Sequence, residues 1–235
     1  MLDCISVKNM RESDSYTIAN FVSSLELMHR AAYGVYLCGR WQGSTAIVVG
    51  SGNNGGDGYA LSCILAENGL NCTVFTVSQK LSADGAHYCA KAEALNVPIL
   101  PYTPGCLRGF DRIVDCLLGT GFQGILKEPY RSAVNEINGS GSYVISVDIN
   151  SGMNGDTAEA ELAVRSDLTV TIGYIKTGLV VENAGRYMKR LVCADIGIRL
   201  LKQEYKILLP GENNCGNIRH FACPRWLDPQ VIRSF

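Results

Sequence analysis

Nine consecutive residues dominate the sequence: Gly50-Ser51-Gly52-Asn53-Asn54-Gly55-Gly56-Asp57-Gly58. The run before them, Ala46-Ile47-Val48-Val49, is apolar and mostly β-branched, and it reads as a buried strand. Beyond them Ala60, Leu61, Ile64 and Leu65 recur at helical spacing until Gly69, placed as a C′ glycine. The stretch is therefore a strand–loop–helix junction. In such a junction the loop's backbone N–H groups can approach an anion, and the helix N-terminus adds partial positive charge. Asn-Gly alone would suit a hairpin turn, but the helical pattern that follows argues against one.

The loop contains a formal G-x-G-x-x-G in Gly50, Gly52 and Gly55. A dinucleotide fold of the usual kind also needs a carboxylate ~20 positions on, at the end of the second strand, to hold the ribose. Here that strand, Cys72 to Val77, ends in Ser78-Gln79-Lys80. A hydride-transfer dehydrogenase binding its coenzyme conventionally is disfavoured. Asn53, Asn54 and Asp57 are more polar than turn chemistry requires, so the loop is expected to contact a polar ligand.

With 235 residues the chain has room for one sizeable α/β domain. A formal net charge of −1 suggests neither nucleic acid nor a membrane surface as partner. No apolar run approaches the ~20 residues that span a bilayer, and the first residues lack the pattern of a secretory signal. The ten cysteines include Cys38, Cys63, Cys72, Cys89, Cys116 and Cys193, which fall singly in apolar patterns without any C-x-x-C. They read as free thiols in a reducing compartment, the cytoplasm.

Ser23 and Glu26 have capping-box spacing for a helix running to about Cys38, and Ser13 to Phe21 is a weaker helix candidate. Ser82 can cap a further helix to about Leu95, and Pro129 can open one that Gly139 ends. Strands are expected around Ile99 and at Arg112–Cys116, Tyr143–Val147, Leu168–Ile172 and Leu191–Ala194. Strands alternating with helices imply a mostly parallel sheet covered on both faces. Residues 1–198 carry this alternation, whereas 199–235 lose it and read as a C-terminal extension. Cys215, His220 and Cys223 in that extension offer only three zinc ligands at unorthodox spacing, so surface packing is the default.

Three polar loops follow strand ends: Asn53 to Gly58, Asp115 to Gly124, and Asp148 to Gly152. In an open parallel sheet the carboxyl ends converge on a crevice where ligands bind. Asp57, Asp115 and Asp148 are thus expected near one another, with Asn53, Asn54 and Ser151. Crowded carboxylates need a cation or a raised pKa, and carboxylate, carboxamide and hydroxyl oxygens suit a hard cation. For any single Asp, the competing role is a helix N-cap.

These motifs resemble the YjeF N-terminal family, the NAD(P)H-hydrate epimerases. The likeness rests on the nine-residue loop, Val114-Asp115, Gly119-Thr120-Gly121, Val147 to Gly152, Lys176-Thr177-Gly178-Leu179 and Asp195-Ile196-Gly197. Met10-Arg11-Glu12 and Leu27 to Ala31 add to it. The resemblance implies a Rossmann-like three-layer α/β/α fold, usually dimeric, that epimerises the 6-hydroxy hydrates of NADH and NADPH. It implies substrate contacts from Asn53, Asn54, Gly55, Gly56 and Asp57, from Gly119, Thr120, Gly121, Phe122, Gln123, Gly124 and Ile125, and from Tyr130 and Asp148. It further implies a potassium ion at Asn54, Asp115 and Ser151, with Asp148 as the acid/base residue. A separate NAD(P)H-hydrate dehydratase is an implied partner. Two positions depart from the family pattern, Asn150 where Pro is common and Gln123 where some members carry Lys. Members that serve as non-catalytic dimerisation or binding scaffolds supply the alternative reading, but here Asp148 and both loop asparagines remain.

Overall fold

A serine starts each of the first two helices. Ser6 accepts from the Asn9 N–H at 3.2 Å and Ser23 from the Glu26 N–H at 3.2 Å, satisfying donors a helix start leaves orphaned. The computed structural model describes residues 1–212 and 218–235. Its elements are β1 (Leu2–Ile5), α1 (Val7–Asn20), α2 (Ser24–Cys38), β2 (Thr45–Val49), α3 (Asn53–Glu67), β3 (Cys72–Thr76), α4 (Ala83–Ala94), β4 (Ile99–Pro101) and β5 (Arg112–Cys116). They continue with α5 (Tyr130–Gly139), β6 (Tyr143–Val147), β7 (Leu168–Ile172), β8 (Ile175–Lys176), β9 (Leu191–Asp195), β10 (Tyr205–Leu208), β11 (Arg219–Ala222) and β12 (Leu227–Arg233). Among the described residues no helix is long and apolar enough to cross a membrane.

The main sheet has eight strands in the order β12-β9-β7-β6-β5-β2-β3-β4, and every pairing in it is parallel. Alternate side chains of each central strand enter opposite cores, as the period of two demands. Ile47 and Val49 join the core beneath α2 and α3, while Ala46 and Val48 join the one beneath α5. Helices on both faces complete a three-layer α/β/α fold.

Three features differ from the sequence expectation. Helix α1 begins at Val7, ahead of the expected Ser13, and it buries a polar face, Asn9, Ser13 and Thr17. Those side chains meet the backbone of the C-terminal segment: Arg199 N–H donates to Thr17 Oγ1 at 2.8 Å and Leu201 N–H to Ser13 Oγ at 3.1 Å. An amphipathic scan misses a helix whose inner face is polar. Second, α3 starts at Asn53, so Asn53 to Gly58 form its opening turns rather than a loop. A Cβ at Gly55 would collide with the carbonyl oxygen of Gly50. Glycine there lets the helix start directly against the end of β2.

Third, residues 199–235 contribute strands to both sheets. β10 and β11 join β1 and β8 in a second, four-stranded sheet ordered β11-β10-β1-β8. β12 pairs with β9 at the edge of the main sheet. Of the zinc candidates, His220 lies on β11 and Cys223 just beyond it, while Cys215 lies outside the described residues. The cysteines of the described residues are free thiols.

Candidate functional site

From β2 the chain runs outward through β3 and β4, then returns to β5 on β2's other side. The carboxyl ends of β2 and β5 therefore diverge at a topological switch point, where open α/β sheets bind ligands. A cavity of about 710 Å³ opens there. It brings together Asn53, Asn54 and Asp57 from the start of α3, Gly119, Thr120, Gly121, Phe122 and Gln123 from the loop after β5, and Asp148 after β6. It also brings in Arg11 and Asp14 from α1, Asp84 from α4, and Lys176 from β8.

Asp148 holds the left-handed conformation, φ 68°, as the chain turns out of β6. Its N–H donates to the Val170 carbonyl at 2.8 Å, tying that turn to β7. One carboxylate oxygen, Oδ2, accepts from the Thr120 N–H at 3.1 Å. The other, Oδ1, accepts from Lys176 Nζ at 2.5 Å. A Cβ at Gly119 would stand 2.8 Å from Oδ2, so glycine lets the loop close on the carboxylate. Lys176 also donates to the Ile172 carbonyl at 2.6 Å and Thr171 Oγ1 at 3.1 Å, which satisfies all three of its donors. Lys176, which the sequence places only in the motif Lys176-Thr177-Gly178-Leu179, is thus a site residue that the motif alone does not assign. A lysine inside the apolar stretch around Ile175 was the available signal.

Asp115 does not stand in the crevice beside Asp57 and Asp148. Its side chain points from β5 to the face opposite α3 and is completely buried. Oδ1 accepts from Ser151 Oγ at 2.5 Å and the Leu117 N–H at 3.3 Å. Oδ2 accepts from Ser146 Oγ at 2.9 Å and the Ser151 N–H at 3.0 Å. Burial raises its pKa, and these hydrogen bonds pull the other way. Ser151 Oγ in turn accepts from the Leu118 N–H at 2.8 Å, so Asp115 and Ser151 join the loops after β5 and β6.

Asn54 is buried in the cavity wall, and neither Nδ2 nor Oδ1 has a hydrogen-bond partner. An unpaired buried carboxamide is costly and marks where a bound group would contribute contacts. Asp57 is half-buried nearby; burial, then the Asp148 and Asp14 carboxylates, push its pKa well above the ordinary range. Burial also raises Asp14, with Lys176 opposing and Asp148 adding to the shift.

Other expected contacts lie away from the cavity lining. Gly55 and Gly56 are packed inside α3, with a Cβ at Gly56 meeting Met28 Cε at 2.5 Å. Gly124 and Ile125 are exposed beyond the loop, Ile125 at 66%. Tyr130 stands at the rim, its hydroxyl 3.5 Å from Ser51 Oγ. Asn150 anchors the β6 loop beneath the site: its Nδ2 lies 2.9 Å from the Tyr187 carbonyl and 3.0 Å from that of Val164, and its Oδ1 accepts from Thr169 Oγ1 at 2.7 Å. Where the family commonly has a proline, hydrogen bonds hold the turn.

The family model of the YjeF-related protein N-terminus matches residues 24–178, from the start of α2 to just beyond β8. The chain belongs to the YjeF-related N-terminal family. It is 38% identical over 198 residues to a bifunctional NAD(P)H-hydrate repair enzyme, Nnr, of Coxiella burnetii, covering 81% of this chain and 41% of that protein. An NAD(P)H-hydrate epimerase of Limosilactobacillus fermentum is 34% identical over 202 residues, covering 81% of this chain and 95% of the relative. In fold the chain is similar to yeast ynu0, YNL200c, with a TM-score of 0.69 at 21% identity, over 80% of this chain and 86% of that one. The family segment spans Asn54, Asp57, Asp115, Asp148, Ser151 and Lys176. Arg11 and Asp14 reach the same cavity from α1, ahead of it.

Proposed function

We propose that this protein epimerises the R and S forms of hydrated NADH and NADPH at C6 of the nicotinamide ring, a repair isomerisation. The observation that carries this reading is Asp148, held at the cavity wall by Lys176 and the Thr120 N–H beside the unpaired carboxamide of Asn54. C6 of the hydrate is a hemiaminal carbon. Its inversion requires breaking the C6–O or the ring C–N bond and re-forming it on the other face. Either route moves a proton to the departing heteroatom and removes one on return, which a positioned carboxyl group can do. Gln123 carries no ionisable group, so proton traffic falls to the cavity's carboxyl groups. Thr120 and Lys176 fix the direction of the Asp148 oxygens, and the asparagines of α3 orient polar groups of the substrate.

The same reading assigns a potassium ion to Asn54, Asp115 and Ser151. The unpaired Asn54 Oδ1 is the oxygen that fits such an ion, whereas Asp115 and Ser151, bonded to each other, would reach it only by giving up those hydrogen bonds. When bound, it would offset negative charge and tie the loops together. We further assign the protein to the cytoplasm as a homodimer, working with an NAD(P)H-hydrate dehydratase. The decisive experiment incubates the protein with mixed R and S hydrates and an S-specific dehydratase. Consumption of the R form is the expected result; its persistence while S disappears would refute the epimerase assignment.

A further inference from the structure

The cavity is lined by four carboxyl side chains, Asp14, Asp57, Asp84 and Asp148, against two cations, Arg11 and Lys176. Lys176 is buried and committed to Asp148 and β7. Arg11 is different. It reaches from α1 to the far wall, where Nη2 donates to the Thr120 carbonyl at 2.6 Å. A guanidinium has five N–H donors, and this is the one hydrogen bond Arg11 makes among the described residues; none of their carboxylates pairs with it. Beside it the loop is bare, since even a Cβ at Gly121 would stay 3.8 Å from Nη2. Across the cavity, Gly52 precedes the start of α3 as its N-cap, and no side chain caps the first N–H groups of the helix.

An acidic cavity repels an anionic substrate unless a fixed cation meets the charge. We propose that Arg11 is a substrate-binding residue that takes the pyrophosphate of the dinucleotide, with the uncapped start of α3 as the second donor group. The proposal deepens the epimerase reading and rests on its dinucleotide substrate. A guanidinium can present two parallel N–H groups to a phosphate, which an ammonium cannot. Its bond to Thr120 pre-orients that fork and couples it to the loop whose next contact is Asp148. The competing role is a strut that only ties α1 to that loop.

Two measurements on Arg11→Gln and Arg11→Lys separate these roles. With hydrated NADH, Arg11→Gln should raise KM roughly tenfold or more, the scale of a charge-assisted hydrogen bond, with a much smaller change in kcat. Arg11→Lys should recover part of the loss. A strut would instead lower kcat and Tm and leave KM in place, which would overturn the proposal. The second measurement needs no turnover: inorganic pyrophosphate should raise the Tm of the wild-type protein and raise that of Arg11→Gln much less. Equal shifts in both proteins, or none in the wild type, overturn the proposal. An Arg11-dependent shift in a protein without epimerase turnover would support the anion site and refute the epimerase reading.

Discussion

Lys176 Nζ lies 2.5 Å from Asp148 Oδ1, yet the two partners are buried unequally, the lysine side chain 1% exposed and the aspartate 14%. The ammonium is sealed under β7 and β8, whereas the carboxylate looks into the cavity. Removing Asp148 strands a charge that cannot reach water. Removing Lys176 leaves a carboxylate that still has the Thr120 N–H and solvent.

The pair should therefore respond asymmetrically to substitution. Asp148→Asn is expected to lower stability by about 3 kcal/mol, as for a buried charge left without its partner, and Lys176→Met by less. Adding Lys176→Met to Asp148→Asn should restore part of the lost stability. Denaturant unfolding of the three variants checks the order. Turnover of Asp148→Asn should fall ~10²-fold or more; a folded variant with wild-type turnover would remove Asp148 from catalysis.

Asn54 gives a test of the cation site. In potassium-free buffer Asn54→Leu should be close to neutral or stabilising, because it removes a carboxamide buried without partners. Potassium chloride should raise the Tm of the wild-type protein above its value in an equal concentration of tetramethylammonium chloride. Asn54→Leu should show no such difference. Equal response of both proteins to potassium would place the ion elsewhere.

Asp57 supplies a pH prediction. Its pKa is raised above the 3.8 of a free side chain, chiefly by burial and then by Asp148 and Asp14. The folded state thus holds the proton more tightly than the unfolded state, so this group's stabilising contribution is lost as pH rises from about 4 toward the folded pKa. Asp57→Asn removes that loss. Without ligand, the Tm of the variant minus that of the wild type should grow between pH 4 and 7. A difference that stays flat or shrinks would show that Asp57 is not held protonated.

Strand β12 covers an edge that the sheet would otherwise expose. Leu227, Val231, Ile232 and Arg233 pair with β9, and Trp226 Nε1 donates to the Leu179 carbonyl at 2.9 Å. Deleting residues 225–235 should lower Tm and promote association through the bared β9 edge. Thermal melts with light scattering would show both effects, and a truncated protein that melts and scatters like the full chain would refute them.

Local pattern carried much of the fold. Cys72, Arg112, Tyr143, Leu168 and Leu191 were all legible as strand starts, because a strand buried on both faces is a short unbroken apolar run. Serine caps at positions 23 and 82 marked two helices. A crevice at the carboxyl ends of the strands also followed from the polar loops that close them. Asp148, Asn53, Asn54, Asp57 and the 119–123 loop could therefore be placed around one cavity without coordinates.

Tertiary structure alone decided which way the carboxylates face and what they touch. Asp115 and Asp148 both end parallel strands, yet strand alternation turns Asp115 to the α5 side, where Ser146 and Ser151 enclose it. Lys176 acquires its partner only because β1 and β8 pair in a second sheet that no periodic signal announces. Arg11 and Asp14 enter the cavity because the polar inner face of α1 docks on the backbone of residues 199–202. Apolar burial repeats along the chain with a period that can be read locally. A polar contact depends on one partner at one distance, and here that partner lies 28 residues from Asp148 and 109 from Arg11.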